Sequence, residues 1–242
     1  MKAEFFWCLP AGFAAGMLGV FIFNRVPVAW LCDYDEKPSP ELLGKRLSPA
    51  PDGVRLGILF SAVFLLLRLQ YISSNAVFIS LCAAAFFLVL AAVSDGKYSI
   101  IPDQCLPAVL VPAAVIYTLW LFGKADYYRS AASPFLGALA GGAMWLLIGL
   151  IGKAAYHKES IGLGDVKLFA ALGFLCGFPE IIFVFVLTIL ISGIYFIILL
   201  LMHKVTGDQY MPMGPYICLA CLFALAFRRQ AATAVSWYFS LI

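Results

Sequence analysis

The chain is a succession of apolar runs separated by short polar stretches. A bilayer-spanning helix needs about 20 mostly apolar residues, and runs near that length recur at 5–23, 54–72, 76–93, 104–122, 133–152 and 181–202. Two shorter ones follow the same pattern at 166–177 and 215–227, and the last residues, 231–242, are apolar enough either to enter the membrane or to lie at its surface. The pattern predicts an all-α, polytopic membrane protein with about eight transmembrane helices.

Several positions inside this pattern carry their own expectations. The first run is read as a retained span and not a signal peptide, because Lys2 is offset by Glu4 and many spans follow. Within it Gly12 and Gly16 have the GxxxG spacing of a close helix contact, although glycine is common in membrane helices generally. The polar stretch 24–53 holds prolines at 27, 38, 40, 49 and 51 and reads as a loop too short for a domain. Ser73-Ser74-Asn75 makes a tight turn, and Arg55 and Arg68 are placed to snorkel to the surface. Pro107 and Pro112 fall in the fourth run, where neighbours can satisfy the freed carbonyls. The run 166–177 is short for a crossing, so it is either tilted or starts within the protein.

Composition supports the membrane reading. Of 242 residues 64% are hydrophobic and only 12% charged, against roughly a quarter charged in soluble domains. The net charge of +3 comes from residues scattered at segment ends, which gives no footprint for nucleic acid. Counting Lys and Arg in alternate loops puts ten on one side and five on the other. The richer side is cytoplasmic, so the N-terminus is outside and the loops after Asp95 and before Asp165 face the cytoplasm. Of seven cysteines only Cys32 lies in a polar loop; Cys218 and Cys221 spell CxxC but sit in an apolar run and read as buried small hydrophobes. His157 and His203 occupy separate loops, so no metal site is expected.

The candidate chemistry lies in two polar interruptions. Ile161-Gly162-Leu163-Gly164-Asp165-Val166-Lys167-Leu168 is a small-residue loop with one acid entering an apolar helix, and Asp95 ends an earlier run before Gly96-Lys97-Tyr98-Ser99-Ile100-Ile101-Pro102-Asp103. An acid at the lip of an apolar segment is costly and asks for a function. Two carboxyls sharing a proton can hydrolyse a peptide, one taking a proton from water while the other donates to the carbonyl oxygen. Gly162 and Gly164 allow unusual backbone dihedrals and close approach to the carboxylate. The alternative is that Asp165 only caps a helix and Asp95 only ends one. Lys167 pairs with a carboxylate or with a lipid headgroup, and Asp103 either orients the Asp95 loop or starts the next helix.

Taken together, Asp95 through Ile101-Pro102-Asp103, then Gly162-Leu163-Gly164-Asp165-Val166-Lys167-Leu168-Phe169-Ala170-Ala171-Leu172-Gly173, and Pro212-Met213-Gly214-Pro215-Tyr216 resemble the type IV prepilin peptidases, membrane aspartyl proteases of the GxGD type. The resemblance covers about 76–227. It implies a catalytic pair, Asp95 and Asp165, with Gly162, Gly164, Lys167, Pro102 and Asp103 in support and Pro212, Gly214 and Pro215 in a substrate or core loop. It also implies a prepilin or pseudopilin substrate cut on the cytoplasmic side of a bacterial inner membrane, and eight helices with the N-terminus outside. On this reading residues 1–75 hold N-terminal helices with a shortened loop, 24–53, and residues 76–242 form the peptidase core. Phe23-Asn24-Arg25-Val26-Pro27 is similar to the family's first-helix end, but Val20 stands where an asparagine is usual. Longer members carry two zinc-holding CxxC pairs in the loop where this chain has only Cys32. No cofactor is expected for hydrolysis, and S-adenosylmethionine enters only if the family's second activity, methylation of the new N-terminus, is retained. Two further readings are a transporter relaying protons or a cation through the two acids, and an inactive assembly scaffold. A transporter calls for internal repeats or midplane acids, which the sequence lacks.

Overall fold

The computed structural model describes residues 2–31, 46–156, 162–204 and 211–239. Among these the regular elements are helical: α1 Lys2–Arg25, a 3-10 turn at Val28–Trp30, α2 Pro49–Gln70, α3 Asn75–Tyr98, α4 Cys105–Leu121, α5 Ser133–Tyr156, α6 Leu163–Cys176, α7 Glu180–Leu201, α8 Gly214–Ala226 and α9 Arg228–Phe239. Five of them, α1, α2, α3, α5 and α7, are long and apolar enough to cross a membrane, and α4 and α8 are shorter apolar helices. With α6 this makes the polytopic all-α architecture of about eight apolar helices that the hydrophobic runs predict. Large side chains such as Trp7, Ile79, Leu139, Ile151 and Leu201 point outward, as expected where lipid is the solvent. The chain packs into two compact units, Met1–Tyr127 and Tyr128–Ile242. This is a partition by packing, distinct from the division at 75 expected from the motifs.

In the first unit α1 lies against α2 at backbone contact distance. A Cβ on Gly12 would strike the backbone of Ser61, and one on Gly16 the backbone of Gly57, so the GxxxG spacing is a packing site. The Ser61 hydroxyl crosses the same seam to the Leu9 carbonyl at 2.9 Å. Helix α2 begins at Pro49, earlier than the hydrophobic run, because prolines are tolerated in a first turn where no N–H partner is needed. The Asp52 carboxylate accepts the Ser48 N–H at 2.8 Å and closes that end. Arg55 is exposed near Asp52. Arg68, by contrast, is only 5% exposed: the Ser73–Asn75 turn folds back so that Asn75 Oδ1 accepts from its guanidinium at 2.8 Å, and its charge lies over the Phe78 ring. Snorkelling fails there because a polar partner is closer than the surface. Helix α4 runs unbroken through Pro112, which is buried.

The second unit is built around α6. Eight of its 14 residues are buried, among them Leu168, Phe169, Leu172 and Leu175. At 1.5 Å per residue it is about 21 Å long, short for a crossing, and its first residue, Leu163, is exposed. Helix α5 meets it glycine to glycine: a Cβ on Gly173 would strike the Gly137 carbonyl, and one on Gly141 would lie 2.6 Å from the Phe169 oxygen. Below this contact Trp145 stacks on Phe169 at 5.0 Å, and Phe185 meets both edge-on. The chain leaves α6 at Gly177, whose φ of 82° favours glycine. Ser133 holds that exit, donating its hydroxyl to the Phe178 carbonyl at 2.8 Å. Arg129 and the buried Glu180 pair beside it at 2.8 Å. Helix α9 turns Ala231 and Val235 inward and leaves Trp237 exposed, the two-faced pattern of a helix at a membrane surface.

Candidate active site

Helix α3 continues past the apolar run, so Asp95 lies in its last turn and not in the loop beyond. It is 3% exposed, with Ser94 and Tyr98 buried beside it. The helix closes at Ser99, a non-glycine residue in the left-handed region (φ 55°, ψ 31°) whose N–H returns to the Asp95 carbonyl at 2.7 Å. Ser94 Oγ donates to the Ile100 carbonyl at 2.8 Å, tying the following turn back onto the helix. Pro102 is buried and Asp103 partly exposed. Their carbonyls accept the Cys105 and Leu106 N–H groups, at 2.9 and 3.2 Å, so both residues belong to the turn that enters α4.

A support behind Asp95 was not visible in any motif. The Tyr98 ring stacks on Phe23 with centroids 6.0 Å apart. Phe23 is near the end of α1, whose last carbonyls would otherwise be open. Arg46 donates to the carbonyls of Phe23 and Val26, each at 2.8 Å. Asn24 and Leu47 exchange two hydrogen bonds, at 2.9 and 3.0 Å. The base of the 24–53 loop is thus clasped against the helix that steadies the Asp95 turn. Polar residues near a helix end hint at such a clasp, but their partners, 20 to 23 residues away, are set only by folding. Cys32 and the rest of 32–45 lie outside the described residues, as does His157.

In the second unit Gly162 is the residue before the first turn of α6, extended at ψ 142°, so Asp165 is not the cap but the third helical position. Its N–H and that of Val166 both reach the Gly162 carbonyl, at 3.1 and 3.4 Å. An acid there faces the open N–H groups of the helix start, which favour a carboxylate. Asp165 is 4% exposed, and Gly164 is partly exposed just before it. Lys167 is exposed on the same turn.

Helix α8 opens with Gly214, buried, and Pro215 in its first turn; Pro212 is partly exposed just ahead. Tyr216 anchors this start, donating its hydroxyl to Met211 Sδ at 3.6 Å and packing on Tyr195 at 5.4 Å. The last residue of α6 meets the middle of α8 and the start of α9: Cys176 and Cys221 sulfurs are 3.8 Å apart, and Arg228 donates to the Cys176 carbonyl at 3.1 Å. Among the described residues no group of three or more His, Cys, Asp or Glu side chains is gathered to hold a metal.

Residues 82–197 match the type IV leader peptidase family. The chain is 30% identical over 190 residues to a prepilin leader peptidase/N-methyltransferase of Bacillus subtilis, covering 77% of this chain and 64% of that protein. It is 33% identical over 128 residues to the protein of that name from Aeromonas salmonicida (51% and 43% covered). It is 32% identical over 131 residues to the one from Pseudomonas aeruginosa (52% and 43% covered). The chain thus spans less than two thirds of the length of these relatives, from 43% to 64%. No solved structure matches it.

Proposed function

Because residues 82–197 match the type IV leader peptidase family, we propose that the chain is a membrane aspartyl peptidase. It removes the short basic leader of type IV prepilins or pseudopilins at the cytoplasmic face of a bacterial inner membrane. The observation that carries this reading is the pair of nearly buried acids, Asp95 and Asp165, each at the end of an apolar helix and each inside its matching motif. A carboxylate is not buried at such cost without use.

On this reading the two acids serve one hydrolysis, one as base and the other as acid. Asp165, at a helix start, is the member suited to hold the negative charge and to take a proton from water. On this reading Asp95 is the member that donates to the carbonyl oxygen. Proton transfer to or from a reacting group contributes typically 10²–10⁴-fold, roughly. The substrate's hydrophobic helix remains in the bilayer while its basic leader reaches the cytoplasmic surface. Gly162 and Gly164 leave room beside the acid, and Pro212, Gly214 and Pro215 supply a substrate or core loop. Lys167 faces lipid headgroups or the substrate's flank, and Asp103 orients the turn after Asp95. Hydrolysis by this route needs no cofactor; S-adenosylmethionine has a role only if the methylation named in the relatives is also carried out here.

The test is co-expression with candidate prepilins, followed by intact mass measurement of the pilin. Leader removal is expected with the native chain and is lost in Asp95→Asn and in Asp165→Asn, each of which remains folded and inserted, because an amide keeps the shape but exchanges no proton. Cleavage retained in either variant removes that residue from the catalytic pair.

A further inference from the structure

Cys221, of the CxxC spelling, has a sulfur neighbour outside that motif. Cys221 on α8 faces Cys176 at the end of α6, sulfur to sulfur at 3.8 Å, with both side chains buried. A disulfide bond is about 2.05 Å long, so bonding requires an approach of about 1.8 Å, shared between two side chains on neighbouring helices. Cys176 also borders a small cavity of about 10 Å³, whose wall includes Glu180, Ala224, Leu225, Arg228 and Ala231. Arg228 is held there by the Cys176 carbonyl, at 3.1 Å.

We propose that Cys176 and Cys221 are a dithiol that a small disulfide oxidant converts to a reversible disulfide, fastening the far end of the Asp165 helix to α8. Cys176, at the cavity, is the attacking sulfur. Its thiolate breaks the oxidant's S–S bond, forms a mixed disulfide and releases one thiol. The Cys221 thiolate then attacks the Cys176 sulfur, forms the internal bond and releases the second thiol. Two protein thiols are oxidised, one disulfide is reduced, and the two protons leave on the released thiols. Cys176 is eleven residues from Asp165 along α6, roughly 16 Å. The bond therefore forms at the end opposite the acid, which in the proposed topology is the outer, oxidising side.

The test treats the folded full-length chain in detergent with 2,2′-dithiodipyridine, then denatures it, blocks remaining thiols and maps peptides by mass spectrometry. The expected result is a Cys176–Cys221 cross-linked peptide, two hydrogens lighter than the reduced pair and free of pyridine adduct, lost on reduction with dithiothreitol. The oxidised chain melts several degrees higher than the reduced one. Cys218→Ser keeps the cross-link, whereas Cys176→Ser and Cys221→Ser each abolish it. Separate pyridine adducts on Cys176 and Cys221, unmodified thiols at both, or a Cys218–Cys221 cross-link would each overturn the proposal. The readout is independent of peptidase activity, so it stands or fails apart from the proposed function.

Discussion

Replacing Gly173 by alanine tests the packing on which the Asp165 helix depends. A Cβ at this position would run into the Gly137 carbonyl and lie 2.8 Å from the Ala138 nitrogen. These are backbone atoms of α5, so no side-chain rotation relieves the clash and the two helices must separate. Overpacking costs about 1–3 kcal/mol, and a rigid obstacle puts Gly173→Ala near the upper figure. At about 1.4 kcal/mol per factor of ten, about 3 kcal/mol is roughly a hundredfold change in the unfolding equilibrium. Gly193, on α7, is the matched control: a Cβ there meets nothing within 4 Å, and alanine in a helix interior gains up to about 1 kcal/mol over glycine. Both variants are unfolded with denaturant in detergent micelles, following tryptophan fluorescence. Trp145, stacked on Phe169 of α6, reports directly on the seam. Gly173→Ala is expected to unfold at clearly lower denaturant and to cleave prepilin poorly, and Gly193→Ala to match or exceed the native chain in both. Equal stability of Gly173→Ala and the native chain would refute the close α5–α6 contact, as would a parallel shift of the two variants.

Asp103→Asn is expected to keep a substantial part of the cleavage rate, since the Asp103 carbonyl, which the change leaves intact, makes its helix-start contact to Leu106; complete loss would move the working acid of the first motif from Asp95 to Asp103. Leader cleavage is expected to continue in excess chelator and without S-adenosylmethionine, measured on a purified prepilin in detergent, and activity that disappears with chelator and returns with zinc would overturn the aspartyl assignment. Arg46→Ala removes two hydrogen bonds to the carbonyls of Phe23 and Val26, worth about 1–3 kcal/mol each when made by a charged donor; faster amide exchange across the end of α1 is expected, and unchanged exchange would dismiss the clasp. Ser99→Gly relieves a left-handed residue by about 1 kcal/mol, seen as a raised melting temperature.

What was legible in the sequence is what depends on local composition. Apolar runs predicted the helices because a membrane leaves the backbone few other ways to satisfy its hydrogen bonds, and the GxGD spelling located an acid at the start of one of them. The boundaries were less legible where capping decided them. The prolines at 49 and 51 read as loop, yet they open α2 because Asp52 closes on Ser48. Asp95 read as the end of an apolar run, and it lies in the last turn of α3, where Ser94 and Ser99 finish the helix around it.

Contacts between distant segments were decided only by the tertiary structure. Gly12 and Gly16 had the same spelling whether or not a helix lay against them, and it took the backbones of Gly57 and Ser61 to make them a packing site. Arg68 has a snorkelling position in the sequence and a buried one in the fold, because Asn75 returns within reach. Cys221 has Cys218 three residues before it, but its sulfur meets Cys176, 45 positions away. In each case the sequence by itself determined what each side chain is able to do, through its size, charge or sulfur. Which neighbour it does it with depends on how helices far apart in the chain lie side by side, and no local pattern records that.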